Sequence, residues 1–151
     1  YIFNIVLAQQ QRCLWHIEHS ALPLPSRPLL VPVSIEHQLN DTSMLEHTFP
    51  LWQSYGISLE VQGGRLLLRT LPVSMPQLDV KALLAEVVKA SVQETDIPNM
   101  LAACQLSDVY QLSAEDKDAL GEFILQQLEQ PLTPNWCKHL TIERCQELLR
   151  V

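Results

Sequence analysis

At 151 residues, with 47% hydrophobic and 18% charged side chains, the chain can bury the core of one ordinary domain or of two small lobes, and it is too apolar to be disordered. Its formal charge of -7 and pI near 5.1 exclude a general basic surface for nucleic-acid phosphates. No apolar run reaches the roughly 18 residues that span a bilayer, and the start lacks the positive flank of a signal peptide, so a soluble, intracellular, cytoplasmic protein is expected, read as a piece of a longer one.

Tyr1 to Ala8 and Arg12 to Glu18 are β-branched and aromatic-rich, which predicts two antiparallel strands with Gln9-Gln10-Gln11 as their hairpin loop. Tyr1, Phe3, Ile5 and Leu7 then share one strand face and Ile2 and Val6 the other, so both faces want cover from the terminal helices or a partner subunit. Leu22 to Pro28 holds three prolines and predicts an extended connection, after which Leu29 to Ile35 resumes as a strand, with Pro32 placing it at a sheet edge. Asp41 or Ser43 can cap a helix carrying Leu45, Phe49 and Trp52 before Gly56, with Pro50 predicting a kink or a late start. Ile57 to Val61 and Leu66 to Leu71 flank Gly63-Gly64, the signature of a tight hairpin.

Beyond Pro72 and Pro76 the pattern turns helical. Leu83, Leu84, Val87 and Val88 mark one face of a helix over Val80 to Val92, and Ile97 to Tyr110 reads as the next. Ser113 with Glu115 and Asp116 opens a helix carrying Leu120, Phe123, Ile124 and Leu128, which Pro131 and Pro134 end. A last helix runs from Thr141 to Arg150. Strands and helices are segregated rather than alternating, which predicts an α+β fold. Two lobes are expected: an α/β core lobe built from both chain ends (1–35 and 99–151), expected to be the self-associating one, and a smaller α+β lobe inserted at 36–98.

Four cysteines, Cys13, Cys104, Cys137 and Cys145, are spaced too widely for a disulfide framework and point to reduced thiols. His16 and His19 fall on opposite faces of the predicted strand, which argues against joint metal binding. Trp15, Trp52 and Trp136 suit core or interface anchors. The chain has no phosphate-binding glycine loop, no Gly-x-Ser-x-Gly elbow and no His-Glu-x-x-His helix, so the usual routes to nucleotide binding, acyl transfer and zinc proteolysis are excluded.

Order and spacing carry a resemblance. An N-terminal hairpin is followed by Pro28-Leu29-Leu30-Val31-Pro32, then Leu101-Ala102-Ala103-Cys104, then Cys137-Lys138-His139, and along most of its length the chain is similar to the C-terminal domain of the MutL mismatch-repair family. In that family the hairpin leads to an Asp-Gln-His-Ala-x-x-Glu-Arg-x-x-x-Glu stretch. Its counterpart here, Ile17-Glu18-His19-Ser20-Ala21, keeps a His but has Ile17 for the Asp, and Leu22 to Arg27 holds none of the acids that follow. The family's Ala-Cys-His-Ala-Ala becomes Ala103-Cys104-Gln105-Leu106-Ser107, with an amide, a poor transition-metal ligand, in place of the imidazole. Of Cys-Pro-His-Gly-Arg-Pro, Cys137 and His139 survive, followed by Leu140-Thr141-Ile142.

Metal-dependent strand cleavage needs carboxylates as well as imidazole and thiolate. The resemblance therefore implies the branch without the endonuclease motif: a non-catalytic homodimerisation domain with no cofactor, joining two N-terminal ATPase halves of a nucleoid-associated repair protein. Two alternatives stay open, a metal-dependent endonuclease with an altered site and a zinc-stabilised module. The fallback ligands are Cys104, Cys137 and His139, for which buried thiols and a loop Cys-x-His are the simpler reading. Pro28, Leu29, Leu30, Val31 and Pro32 resemble the stretch through which the family reaches the sliding clamp, with Arg27 where a Gln normally leads; an ordinary edge strand fits the same residues. The partners implied are a second copy, the clamp and other mismatch-repair proteins, with no membrane and no strong direct nucleic-acid binding.

Overall fold

The computed structural model describes residues 1–35, 42–75, 78–89, 96–106, 109–132 and 134–149, and the side chains of 109, 148 and 149 are outside that description. The chain forms two units, Tyr1–Arg12 with Ser107–Val151 (unit 1) and Cys13–Leu106 (unit 2). Both helices and small antiparallel sheets are present, an α+β fold. The strand expected over Leu29 to Ile35 pairs with the glycine-turn hairpin and falls in unit 2.

The N-terminal hairpin is replaced by a helix. Strand β1 is only Ile2–Phe3, and helix α1 runs from Ile5 to Glu18 straight through the glutamines. Nothing between Ile5 and Glu18 favours the positive φ that a tight turn needs, and Gln, Arg, Leu and Ala are good helix formers. The capping signal is Asn4, whose Oδ1 accepts from the Leu7 N–H at 3.2 Å. Ile5 to Arg12 belong to unit 1, where Ala8 is fully buried, and Cys13 to Glu18 belong to unit 2, where Cys13 and Ile17 enter the core.

Unit 2 is built on a three-stranded sheet in the order β2-β4-β3, with β2 Ser26–Ser34, β3 Ser58–Gln62 and β4 Arg65–Pro72. Gly63 (φ 59°) and Gly64 (φ 75°) make the β3–β4 turn and set Gln62 opposite Arg65. Between β2 and β3 the expected single helix is two, α2 Ser43–Glu46 and α3 Phe49–Ser54, because Pro50 sits in the first turn of the second, where its missing N–H costs nothing. Asp41, one of the two expected caps, lies outside the described residues. Helix α3 ends in a Schellman motif: Gly56 donates to the Gln53 carbonyl at 3.0 Å and Ile57 to that of Trp52 at 3.1 Å, with Gly56 at φ 78°.

Helices α4 Val80–Lys89 and α5 Ile97–Ala103 complete unit 2. Asp79 caps α4 by accepting from the Ala82 N–H at 3.0 Å, and the expected continuation to Val92 lies outside the described residues. Helix α5 stops seven residues short of Tyr110. Asp79 donates to the Cys104 carbonyl, Leu78 bridges to Gln105, and the chain leaves the helix, with a single 3-10 turn at Val109–Gln111. The core of this unit includes Trp52, Leu66, Leu68, Leu83, Leu84, Ile97 and Leu101.

Unit 1 holds α6 Ala114–Leu128, β5 Cys137–Lys138 and α7 Ile142–Leu149. Ser113 caps α6 as its hydroxyl accepts from the Asp116 N–H at 3.1 Å. Antiparallel β1 and β5 pair Phe3 with Cys137 and Ile2 with Lys138. Beneath them Phe3 and Phe123 each approach Trp136 at 6.3 Å between ring centroids, in a core that also takes in Ala8, Leu112, Leu120 and Cys137.

Candidate self-association and docking surfaces

In unit 2, β2 is one of the two outer strands of its sheet, as Pro32 requires. Its pairing with β4 shifts register between Pro28 and Val33, so Leu29 to Pro32 leave the regular ladder. Leu29 turns inward against the core, whereas Leu30 and Val31 project into solvent at 104% and 74% exposure. The five residues from Pro28 to Pro32 thus form a bulged, proline-bounded loop of strand with two apolar side chains free for a partner.

The three fallback metal ligands are divided between the two units. Cys104 ends α5 in unit 2, while Cys137 and His139 lie on and just after β5 in unit 1. Among the described residues, no group of three or more His, Cys, Asp or Glu side chains is placed to hold a metal ion. Cys104 is buried, and that burial, reinforced by the negative charges of Glu86 and Asp79, pushes its thiol up to about 11. At neutral pH it is a neutral thiol, a small hydrophobe beside Leu101 and Ala102. Cys137 is buried in the other core, and the His139 ring meets Tyr1 edge-on at 4.9 Å.

His16 lies on α1 and His19 just past its end, so the strand argument that separates them no longer applies. The His19 side chain has a local role instead: its Nδ1 stands 2.7 Å from the Trp15 carbonyl and its ring stacks on Trp15 at 4.3 Å. The two-faced strand expected from Tyr1 to Leu7 is likewise absent, and Ala8, not an alternating row, carries α1 into the core of unit 1.

Unit 1 carries two adjoining surface grooves. One, of about 610 Å³, runs along β1 and the start of α1, lined by Ile2, Phe3, Ile5, Leu7 and Trp136 among others. The other, of about 340 Å³, is lined by Ile2, Lys138, His139, Leu140, Arg144 and Glu147. Exposed apolar side chains of the same unit include Tyr1, Ile2 and Ile142, the last at 79%. Large exposed apolar groups gathered in one small unit mark a protein-binding surface. Sequence reasoning singles out Cys137 and His139 for metal chemistry and passes over Lys138, Leu140 and Arg144. The available signal is the pair of cations Lys138 and Arg144 set among the apolar Leu140 and Ile142, which suits a groove wall better than a ligand set.

No helix among the described residues is long and apolar enough to cross a membrane. Residues 7–118 match the family described as the MutL C terminal dimerisation domain, a stretch that draws on both units. The DNA mismatch repair protein MutL of Exiguobacterium sp. strain AT1b is 29% identical over 112 residues, covering 66% of this chain and 18% of that protein. The chain thus spans about a fifth of the length of the curated relative it matches.

Proposed function

This chain belongs to the family of MutL C-terminal dimerisation domains, and on that premise we propose that it ties two copies of a cytoplasmic mismatch-repair protein together through unit 1. The observation that carries the reading is the family match combined with the grooved, apolar surface of unit 1. Two N-terminal ATPase halves, borne on the rest of the protein, are thereby held as a pair. The domain itself is non-catalytic: the acidic residues of the family's metal motif have no counterparts, and Gln105 stands where the family has a histidine. Light scattering on a sizing column at low micromolar concentration, with metal measured on the same peak, is expected to give twice 17.2 kDa and no stoichiometric metal. A monomer overturns the self-association, and a peak carrying zinc or manganese overturns the metal-free, non-catalytic part.

The reading gives unit 2 a second task, docking other repair factors, the sliding clamp among them. Exposure of Leu30 and Val31 on a short, proline-stiffened stretch supports it, since such a segment has little conformational entropy left to lose on binding. Added clamp is expected to elute with the chain, and the Leu30→Ala, Val31→Ala variant to lose that co-elution while keeping its own mass. Co-elution that survives both changes removes β2 as the contact.

A further inference from the structure

The smaller groove of unit 1 is lined by the apolar side chains of Ile2 and Leu140 and by two cations, Lys138 and Arg144, against one acid, Glu147, with His139 among them. This is unusual placement in a chain of net charge -7 with only ten Lys and Arg residues. The same unit offers the complement on another element. On α6 and its cap, Asp118, Glu122, Leu125 and Glu129 follow one another at offsets of four, three and four residues, which puts them in one stripe along the helix. All four are exposed, Leu125 at 64%, a large apolar side chain left in water between acids. Among the described residues, neither the acids of this stripe nor Lys138 and Arg144 form an ion pair; the pairs present are Arg69 with Glu60 and Lys89 with Glu86, both in unit 2.

We propose that the occupant of the smaller groove is α6 of a second copy, with Leu125 seated on Ile2 and Leu140 and the flanking acids facing Lys138 and Arg144. This rests on the self-association read above and gives it a contact. Within a twofold dimer the contact occurs twice, because the groove of each copy receives the helix of the other. Apolar burial supplies affinity, while the charges fix register and reject like-charged alternatives. A helix with an apolar anchor laid in a groove is also an established mode of recognition between proteins.

The test is charge reversal on each side, alone and together, with the dissociation constant measured by sedimentation at low salt, where rim charges are least screened. Asp118→Lys with Glu122→Lys on the helix side, and Lys138→Glu with Arg144→Glu on the groove side, are each expected to raise the dimer Kd about tenfold or more. The chain carrying all four changes is expected to recover most of the loss. All four positions are exposed, and circular dichroism of each variant checks that the fold is kept. If the wild-type chain is a monomer, the self-association itself fails. If the wild-type chain is a dimer and the reversals leave its Kd within about twofold, or the combined variant stays as weak as either half, dimerisation stands and this contact is wrong.

Discussion

Trp136→Ala is expected to abolish self-association by collapsing the unit that carries it. The indole is 4% exposed, stacks near-parallel on Phe123 at 25° between planes and lies under Phe3, and its carbonyl accepts the Asn4 N–H at 2.8 Å, beside the cap of α1. Replacing a buried tryptophan by alanine costs roughly 3–5 kcal/mol. Whole domains are stable by only about 5–15 kcal/mol, and small ones lie toward the low end. The core of unit 1 is small, with Ala8, Leu112, Leu120, Phe123 and Cys137 as the other members described as buried. The variant should lose near-ultraviolet dichroism from its aromatic cluster and run as a monomer at concentrations where the parent chain is a dimer. A dimer of unchanged affinity shows that the interface does not depend on this core.

Trp52→Ala is the counterpart in unit 2, with a similar energetic cost and a different functional outcome. Trp52 is 1% exposed and ranks among the largest fully buried side chains, in the same core as Leu66, Leu68 and Leu83. Its backbone carbonyl also closes the Schellman motif at Gly56. A loss of about 3–5 kcal/mol is expected to lower the melting temperature by more than about 10 °C. Below that transition the chain should still associate, because no residue lining the unit 1 grooves belongs to the core that is lost. A monomeric Trp52→Ala chain that remains folded assigns the interface to unit 2 instead.

The parts of the fold legible in the sequence are those where one residue leaves the backbone little choice. Gly63-Gly64 fixes the β3–β4 hairpin, Pro32 an outer strand, Pro50 the late start of α3, and Ser113 the start of α6. The first eighteen residues are misleading because Ile, Val, Phe and Trp are common in strands, yet side-chain preference is a weak prior that packing and capping override. Asn4 held the contrary signal, together with the four-residue spacing of the buried Cys13 and Ile17. The landmark cysteines and histidine gave the family but not the geometry of a site, since spacing along the chain does not say which unit each residue joins. The groove was illegible for a related reason: Ile2 and Arg144 meet only because β1 pairs with β5, a contact across most of the chain.

The bulge in β2 bears on how the protein keeps in solution. An outer strand with Leu30 and Val31 in water would ordinarily invite further strands, from other copies or from unfolded chains, and grow into aggregates. Here Pro28 and Pro32 lack the N–H groups that a newcomer would need, and the register shift between Pro28 and Val33 removes the flat row of backbone groups that would guide it. The strand can therefore show two sticky side chains to a specific partner while remaining a poor template for uncontrolled growth.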